Sequence, residues 1–236
     1  MTGLLHTLGD FVTPPLCPIC GKELAAPPKP LCASCVEALP LWPDRRCRGC
    51  GGANDSYLEL CRACQKVEGG RPWRTAVSAL PYHGKVREAI HGFKYRSKTY
   101  MLPFLATQMA SEWHHLADDV ALDAVTYIPL HWRRYLQRGY NQAEMLAEAL
   151  ARTLDLPCIR TLRRRRMTSQ QARLQLADRK ANMRNVFAPV NPGSLHGLRL
   201  LLVDDVFTTG TTLGEATQTL LKAGAAEVSI ITAARD

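Results

Sequence analysis

The sequence predicts an α/β fold, a mainly parallel sheet flanked by helices, preceded by a small cysteine-rich module. Three observations carry this prediction. From residue 71 onward, strand-like apolar runs alternate with segments of helical period, the pattern of βα units. Four C-x-x-C pairs lie within residues 17–64. The run LRLLLVDD, residues 198–205, is so apolar that a strand formed from it needs cover on both faces.

The cysteine-rich part comes first. Cys17/Cys20, Cys32/Cys35, Cys47/Cys50 and Cys61/Cys64 repeat one unit, C-x2-C followed by a second C-x2-C, and CPICG at 17–21 recurs as CRGCG at 47–51. Two thiolates from each of two turns complete a tetrahedral four-cysteine zinc site. Gly21 and Gly51 stand where a metal knuckle turns sharply and a positive φ is convenient. The repeat predicts two structural zinc ions bound sequentially, with interleaved ligation as the alternative. A disulfide framework is disfavoured, because MTGLLHTLGD lacks the basic and apolar regions of a secretory signal and cytosolic cysteines stay reduced. Residues 1–70 balance seven basic against seven acidic side chains. Two zinc centres, each with four thiolates, take that stretch to a formal charge of about −4, unsuited to gripping a nucleic-acid backbone. Residues 1–70 are therefore expected to be a metal-stabilised lid or docking module, and residues 71–236 the main domain. Cys158, outside the pairs, reads as a core thiol.

Residues 71–81 read as a linker leading into a strand. Helices are expected at 84–94 and 100–116, where Leu102, Leu105, Met109 and Leu116 recur at helical spacing. DAVTYIPL (123–130) is a strand. The segment 141–154 is a helix with Leu146, Ala149, Leu150 and Leu154 on one face and Asn141 as its cap. CIRTL and NVFAPV are short strands flanking an arginine-rich stretch. A helix over 211–225 closes with Gly224, and EVSIITA is the last strand. No apolar stretch is long enough to span a bilayer, so a cytoplasmic protein without membrane insertion is expected.

The formal net charge is +9, and all of it lies beyond residue 70. Residues 160–184 alone hold nine Lys/Arg against the single acid Asp178. Arginine at this density attracts polyanions, because its planar fork grips phosphate oxygens in pairs.

Open α/β sheets bind ligands at the carboxyl ends of their strands. The turn Val206–Thr212 lies at such an end and opens a helix. Its backbone N–H groups and the hydroxyls of Thr208, Thr209, Thr211 and Thr212 suit a monophosphate, and Gly210 allows close approach. No G-K-[ST] is present, so this is no triphosphate loop. Asp204 and Asp205 repel phosphate but accept hydrogen bonds from ribose hydroxyls, with Mg²⁺ joining them. The ligand that satisfies both halves is a ribose 5-phosphate with free 2′- and 3′-hydroxyls.

This Asp-Asp-x3-T-G pattern resembles the phosphoribosyl pyrophosphate (PRPP) motif of type I phosphoribosyltransferases. IPLHWRRYLQRGYNQAEMLA (128–147), TSQQARLQLADRKANMRNVF (168–187), FKYRSK (93–98) and the amino-terminal cysteine pairs are similar to the ComF family, which includes the GntX branch. The resemblance covers nearly the whole chain. It implies a type I phosphoribosyltransferase-like domain behind a double zinc ribbon, acting in natural competence and the uptake and use of DNA. It also implies that Asp204 and Asp205 are the catalytic acids and that Leu130, His131, Trp132, Arg133 and Arg134 form the pyrophosphate loop. A flexible basic loop over residues 163–180, with Arg163, Arg164, Arg165, Arg166 and Arg179, would close on the leaving group.

Two departures matter. Some purine phosphoribosyltransferases carry an aspartate at the position of Thr208, so no base-directed general base is evident. Residue 2 is Thr2, whereas amidophosphoribosyltransferases need an amino-terminal cysteine. The expected partners are PRPP or a related ribose phosphate, with single-stranded DNA or competence proteins beside it. The competing readings are an active phosphoribosyltransferase of nucleotide metabolism with an unknown acceptor, and a direct binder of single-stranded DNA through Trp132, Tyr135 and Tyr140.

Overall fold

The computed structural model describes residues 16, 17, 19–24, 31–95, 101–165 and 185–236. Its centre is a four-stranded, wholly parallel sheet of β1 (Ala76–Pro81), β2 (Ala124–Tyr127), β5 (Arg199–Phe207) and β6 (Glu227–Arg235), in the order β1-β6-β5-β2. Two short strands, β3 (Leu162–Arg164) and β4 (Phe187–Pro189), pair antiparallel in a sheet of their own. Leu200, Leu201, Leu202 and Val203 in β5 are fully buried, each burial stabilising the fold by about 1.5–3 kcal/mol.

The helical cover follows the apolar stripes. α4 (Leu102–Ala117) packs on β1, β6 and the later helix α6 (Gln142–Thr153), and α6 packs in turn on β2 and β5. The buried stripe of α6 is Ala143, Leu146, Ala147, Leu150 and Ala151, with Ala149 and Leu154 at its margin. Asn141 caps it as expected, its Oδ1 accepting from the Ala143 N–H at 3.2 Å. α7 (Thr211–Lys222) packs on β4, β5 and β6. Between β1 and α4 lies α3 (Gly84–Tyr95). Among the described residues, no helix is long and apolar enough to cross a membrane.

Several boundaries differ from the sequence reading. The strand expected over 123–130 stops at Tyr127, and a further short helix, α5 (Trp132–Arg138), occupies part of the segment that reads as a loop. The His131 side chain caps α5, accepting from the Arg133 N–H, and Gly139 ends it in the left-handed region at φ 77°. Of CIRTL, only Leu162 enters β3; residues 157–159 instead extend the main sheet beside β2, through Val125 N–H to Pro157 O and Ile159 N–H to Val125 O, both 2.9 Å. Cys158 there is half-buried, and burial pushes its thiol up to about 11, an inert group.

Each cysteine unit is a small hairpin leading to a second pair at a short helix, α1 (Ala33–Glu37) or α2 (Arg62–Gln65). The backbones repeat as the sequence does. Leu16 bridges Glu23 in the first unit, and Arg46 bridges Ala53 in the second. Gly21 and Gly51 have φ of 73° and 68°, as their place in the knuckle requires. The second unit is joined to the free edge of the sheet. Gly51 bridges Val77 of β1, and the Ala76 N–H donates to Arg48 O at 2.8 Å.

Candidate functional site

The two metal sites are formed sequentially. Cys17, Cys20, Cys32 and Cys35 bring their sulfurs within 4.8 Å of one another, and Cys47, Cys50, Cys61 and Cys64 do the same. Cys20 and Cys32 Sγ are 3.6 Å apart and Cys50 and Cys61 Sγ 3.8 Å, close to the edge of about 3.8 Å that Zn–S bonds of about 2.3 Å give a tetrahedron. Each set fits one structural zinc ion.

The second candidate site lies at the carboxyl ends of β5 and β2. Asp204 and Asp205 fall inside β5, shortly before it ends at Phe207, and both residues are half-buried rather than turned into the core. Asp204 Oδ1 accepts from the Asp205 N–H at 2.8 Å. The chain then turns through Thr208, exposed, and Thr209 into Gly210, whose φ of 77° precedes the first turn of α7. The Thr209 and Thr211 hydroxyls are 2.9 Å apart, and Thr212 is half-buried in the same turn. No acidic residue stands in the first turn of α7, so the positive end of its dipole is uncompensated there.

On the β2 side, the Ile128 N–H donates to Val203 O at 3.0 Å, tying the strand ends together. Leu130 follows, half-buried, then His131, buried at the start of α5. The expected pyrophosphate loop is thus partly helical. The Arg133 N–H is taken by His131 Nδ1 at 3.3 Å and the Arg134 N–H by His131 O at 2.9 Å, so these two amides are not spare donors. Arg133 is exposed there and Arg134 half-buried.

β3 completes the cluster. Arg163 and Arg164 belong to a strand rather than to a flexible loop, because residues 162–164 pair with 187–189. Arg165 follows, its N–H bonded to Val186 O at 2.8 Å, and the chain returns at Asn185, whose N–H donates to Glu215 of α7. Arg166 and Arg179 lie outside the described residues. Arg164 is half-buried with its Nε enclosed; desolvation and the neighbouring Arg134 draw its pKa down to about 10, against the pull of Asp204. It stays charged at neutral pH. His131 is held below its ordinary value by burial and by Arg164, Arg133 and Arg134, which keeps its imidazole neutral and able to accept. His131 and Arg134, from the cap and first turn of α5, and Arg164 of β3 thus meet opposite Asp204 of β5.

Two residues of the expected linker prove part of the site's support. Arg71 Nη1 donates to Thr209 O at 3.0 Å, and Trp73 stacks edge-on against Phe207 with ring centroids 6.0 Å apart. The only local sign of them is an Arg-Pro-Trp run directly after Gly69-Gly70. Tyr140, expected on the surface for stacking, is half-buried: its hydroxyl donates to Phe93 O and its ring lies against Phe93.

Comparison with known proteins follows this geometry. Residues 139–236 match the phosphoribosyl transferase domain and residues 8–65 the double zinc ribbon domain. Competence protein F of Haemophilus influenzae is 31% identical over 222 residues, covering 91% of this chain and 94% of that protein. DNA utilization protein YhgH of Escherichia coli K12 is 32% identical over 226 residues, covering 93% and 96%. Competence protein ComFC of Bacillus subtilis is 28% identical over 223 residues, covering 90% and 87%.

Proposed function

The chain belongs to the ComF family of competence protein F and the DNA utilization proteins, and from this we propose that it binds Mg²⁺–PRPP between β2 and β5 in the service of DNA uptake and use. Its phosphoribosyl transferase domain implies a ligand of the PRPP type. The observation that carries the reading is the half-buried pair Asp204–Asp205 beside a left-handed Gly210 and an uncompensated helix start, facing Arg134 and Arg164.

Each part of the ligand has a complement. The amides that open α7 and the hydroxyls of Thr208, Thr209, Thr211 and Thr212 hold the 5-phosphate. Asp204 and Asp205 accept from the 2′- and 3′-hydroxyls. Arg134 and Arg164, with Arg133 at the rim, neutralise the diphosphate on C1, and neutral His131, which caps α5 through the Arg133 N–H, adds no charge of its own. Arg163, Arg165, Arg166 and Arg179 supply further cations from the adjoining basic segment. Two half-buried carboxylates beside phosphate oxygens suit Mg²⁺, which binds through one or two carboxylates plus phosphate and supplies charge neutralisation at the diphosphate. Residues 1–70 form the ribbon part and 71–236 the ligand-binding part, working in the cytoplasm.

A second reading, direct contact with single-stranded DNA, is favoured by α5. Trp132, Tyr135 and Leu136 are 60%, 48% and 74% exposed, and the Arg133 guanidinium sits 5.2 Å from the Trp132 ring centre. Aromatic faces with arginine are a base-stacking platform, here at the rim of the PRPP crevice.

The test is calorimetry with Mg²⁺–PRPP on the wild type and Asp205→Asn, with pyrophosphate release followed in the same samples, with and without single-stranded DNA. Saturable binding abolished by the substitution is expected. Equal affinity in the two proteins refutes the pocket, and pyrophosphate release that depends on an added nucleobase or DNA acceptor identifies a transferase.

A further inference from the structure

The second zinc knuckle and the Thr208–Thr212 turn share one guanidinium. Arg71 Nη1 donates to Thr209 O at 3.0 Å, and Nη2 of the same fork donates to Cys64 Sγ at 3.8 Å. The fork is planar and rigid, so it fixes the distance between a metal-ligand sulfur and a carbonyl of the turn. Its head lies over two rings, 5.3 Å from the centre of Trp73 and 5.5 Å from that of Phe207. Those rings belong to the two sides being joined. Trp73 Nε1 donates to Gly49 O inside the C-x-x-C knuckle at 3.0 Å, while Phe207 is the last residue of β5 before the turn. Among the described residues the buried Arg71 Nε has no hydrogen-bond partner, and the donors that anchor this head are the two that bridge. The fit is tight: a Cβ added at Gly210 would stand 2.7 Å from Arg71 Nη1 and 2.8 Å from Phe207 Cζ.

We propose that Arg71 is a positioning residue through which the metal held by Cys47, Cys50, Cys61 and Cys64 sets the shape of the phosphate turn, so that ligand binding and metal retention are linked. The proposal rests on the reading of the turn given above and adds its control. With the metal in place, Cys64 is a fixed thiolate that orients the fork as an outer partner orients a metal ligand. Once the metal leaves, the sulfur loses its fixed position, and the donor on Thr209 O is no longer aimed. The dependence runs equally in reverse, since a ligand favoured by the metal-bound state must favour metal binding by the same factor.

The experiment uses the full chain carrying two zinc ions and ribose 5-phosphate as the probe. The chelator concentration that strips half of the more tightly held zinc is measured with and without the sugar phosphate, and the sugar phosphate affinity is measured by calorimetry. Saturating ribose 5-phosphate is expected to raise that chelator concentration about 10-fold, within the usual range of coupling between sites. Arg71→Met, which keeps the stem but not the fork, should still hold two zinc ions, bind ribose 5-phosphate about 10-fold more weakly, and abolish the effect of ligand on zinc. Arg71→Lys, a single point donor, should not restore it. Ligand that binds the wild type yet leaves zinc retention unchanged overturns the linkage alone. No binding to the wild type overturns the reading of the turn, and the linkage with it. The wild-type measurement decides even if both variants fail to fold.

Discussion

The two cysteine units share a spacing and a backbone trace, yet their surroundings differ. In the second, all four cysteines are buried; in the first, Cys20 is exposed and Cys32 half-exposed. Among the described residues a β-carbon at Gly21 would meet nothing within 4 Å, whereas one at Gly51 would lie 2.3 Å from Ser78 N. The first knuckle faces α3 across a cleft of about 630 Å³ lined by Ile19, Arg87, Glu88 and His91 among others. The second is pinned to β1 and α4: Arg46 donates to Gly51 O at 2.7 Å, to Ser78 O at 2.5 Å and to Glu112 at 3.0 Å, and the Ser78 hydroxyl donates to Cys50 O. Duplication thus supplied two metal sites, and among the described residues it is the second that bridges the sheet edge and supports the crevice.

Breaking the metal sites gives the largest contrast. Cys50→Ser should reduce zinc to one ion per chain and abolish the cooperative thermal transition of the whole chain, since structural zinc contributes on the order of 10 kcal/mol. Cys20→Ser should also lose one zinc but leave a cooperative transition, seen by circular dichroism and metal analysis. Next comes the glycine pair. Gly51→Ala should cost about 3–5 kcal/mol in urea unfolding, from left-handed strain plus overlap with the Ser78 backbone, against about 1 kcal/mol for Gly21→Ala. A smaller effect is expected at the bridge positions. Arg46→Met should cost about 2–3 kcal/mol by leaving the Gly51 carbonyl unpaired and the Ser78 carbonyl with Trp42 Nε1 as its remaining side-chain donor, while its counterpart Leu16→Ala, at an exposed site, should cost under about 1 kcal/mol.

The cysteine spacing exposes both zinc sites, but nothing in it distinguishes the unit that is welded to the sheet. That distinction lies in Arg46, an unremarkable basic residue in the sequence, and in Ser78, an ordinary strand position. Likewise Asp204–Asp205 and the threonines are legible as a run, whereas Arg164 reads as one more arginine of a basic loop. The pairing of its strand with residues 187–189, across the basic segment, is what brings it opposite Asp204.

The smallest effect sharpens the comparison from outside both units. At the amino ends of β2 and β5, Arg199 grips Asp123 through Nε and Nη2 at 3.0 and 2.7 Å, which lowers the carboxyl pKa from 3.8 to about 2. A depressed carboxyl contributes stability that is complete above about pH 4 and lost as pH falls through about 2. Asp123→Asn should therefore lower Tm by about 1–2 °C at pH 7, with the difference from wild type shrinking as pH approaches 2. A difference that grows on acidification contradicts this account.

Local pattern was enough to establish the metal sites, the βα alternation and the acidic–threonine turn. Ligand spacing, side-chain periodicity and turn chemistry all act within about a dozen residues, so a linear reading reaches them. Folding alone decided which metal site serves the crevice and which arginines face it. Arg71 and Thr209 are separated by 138 residues. A contact of that kind exists only because the sheet sets β1 beside β6 and β6 beside β5, bringing one knuckle's edge to the place where the phosphate turn begins.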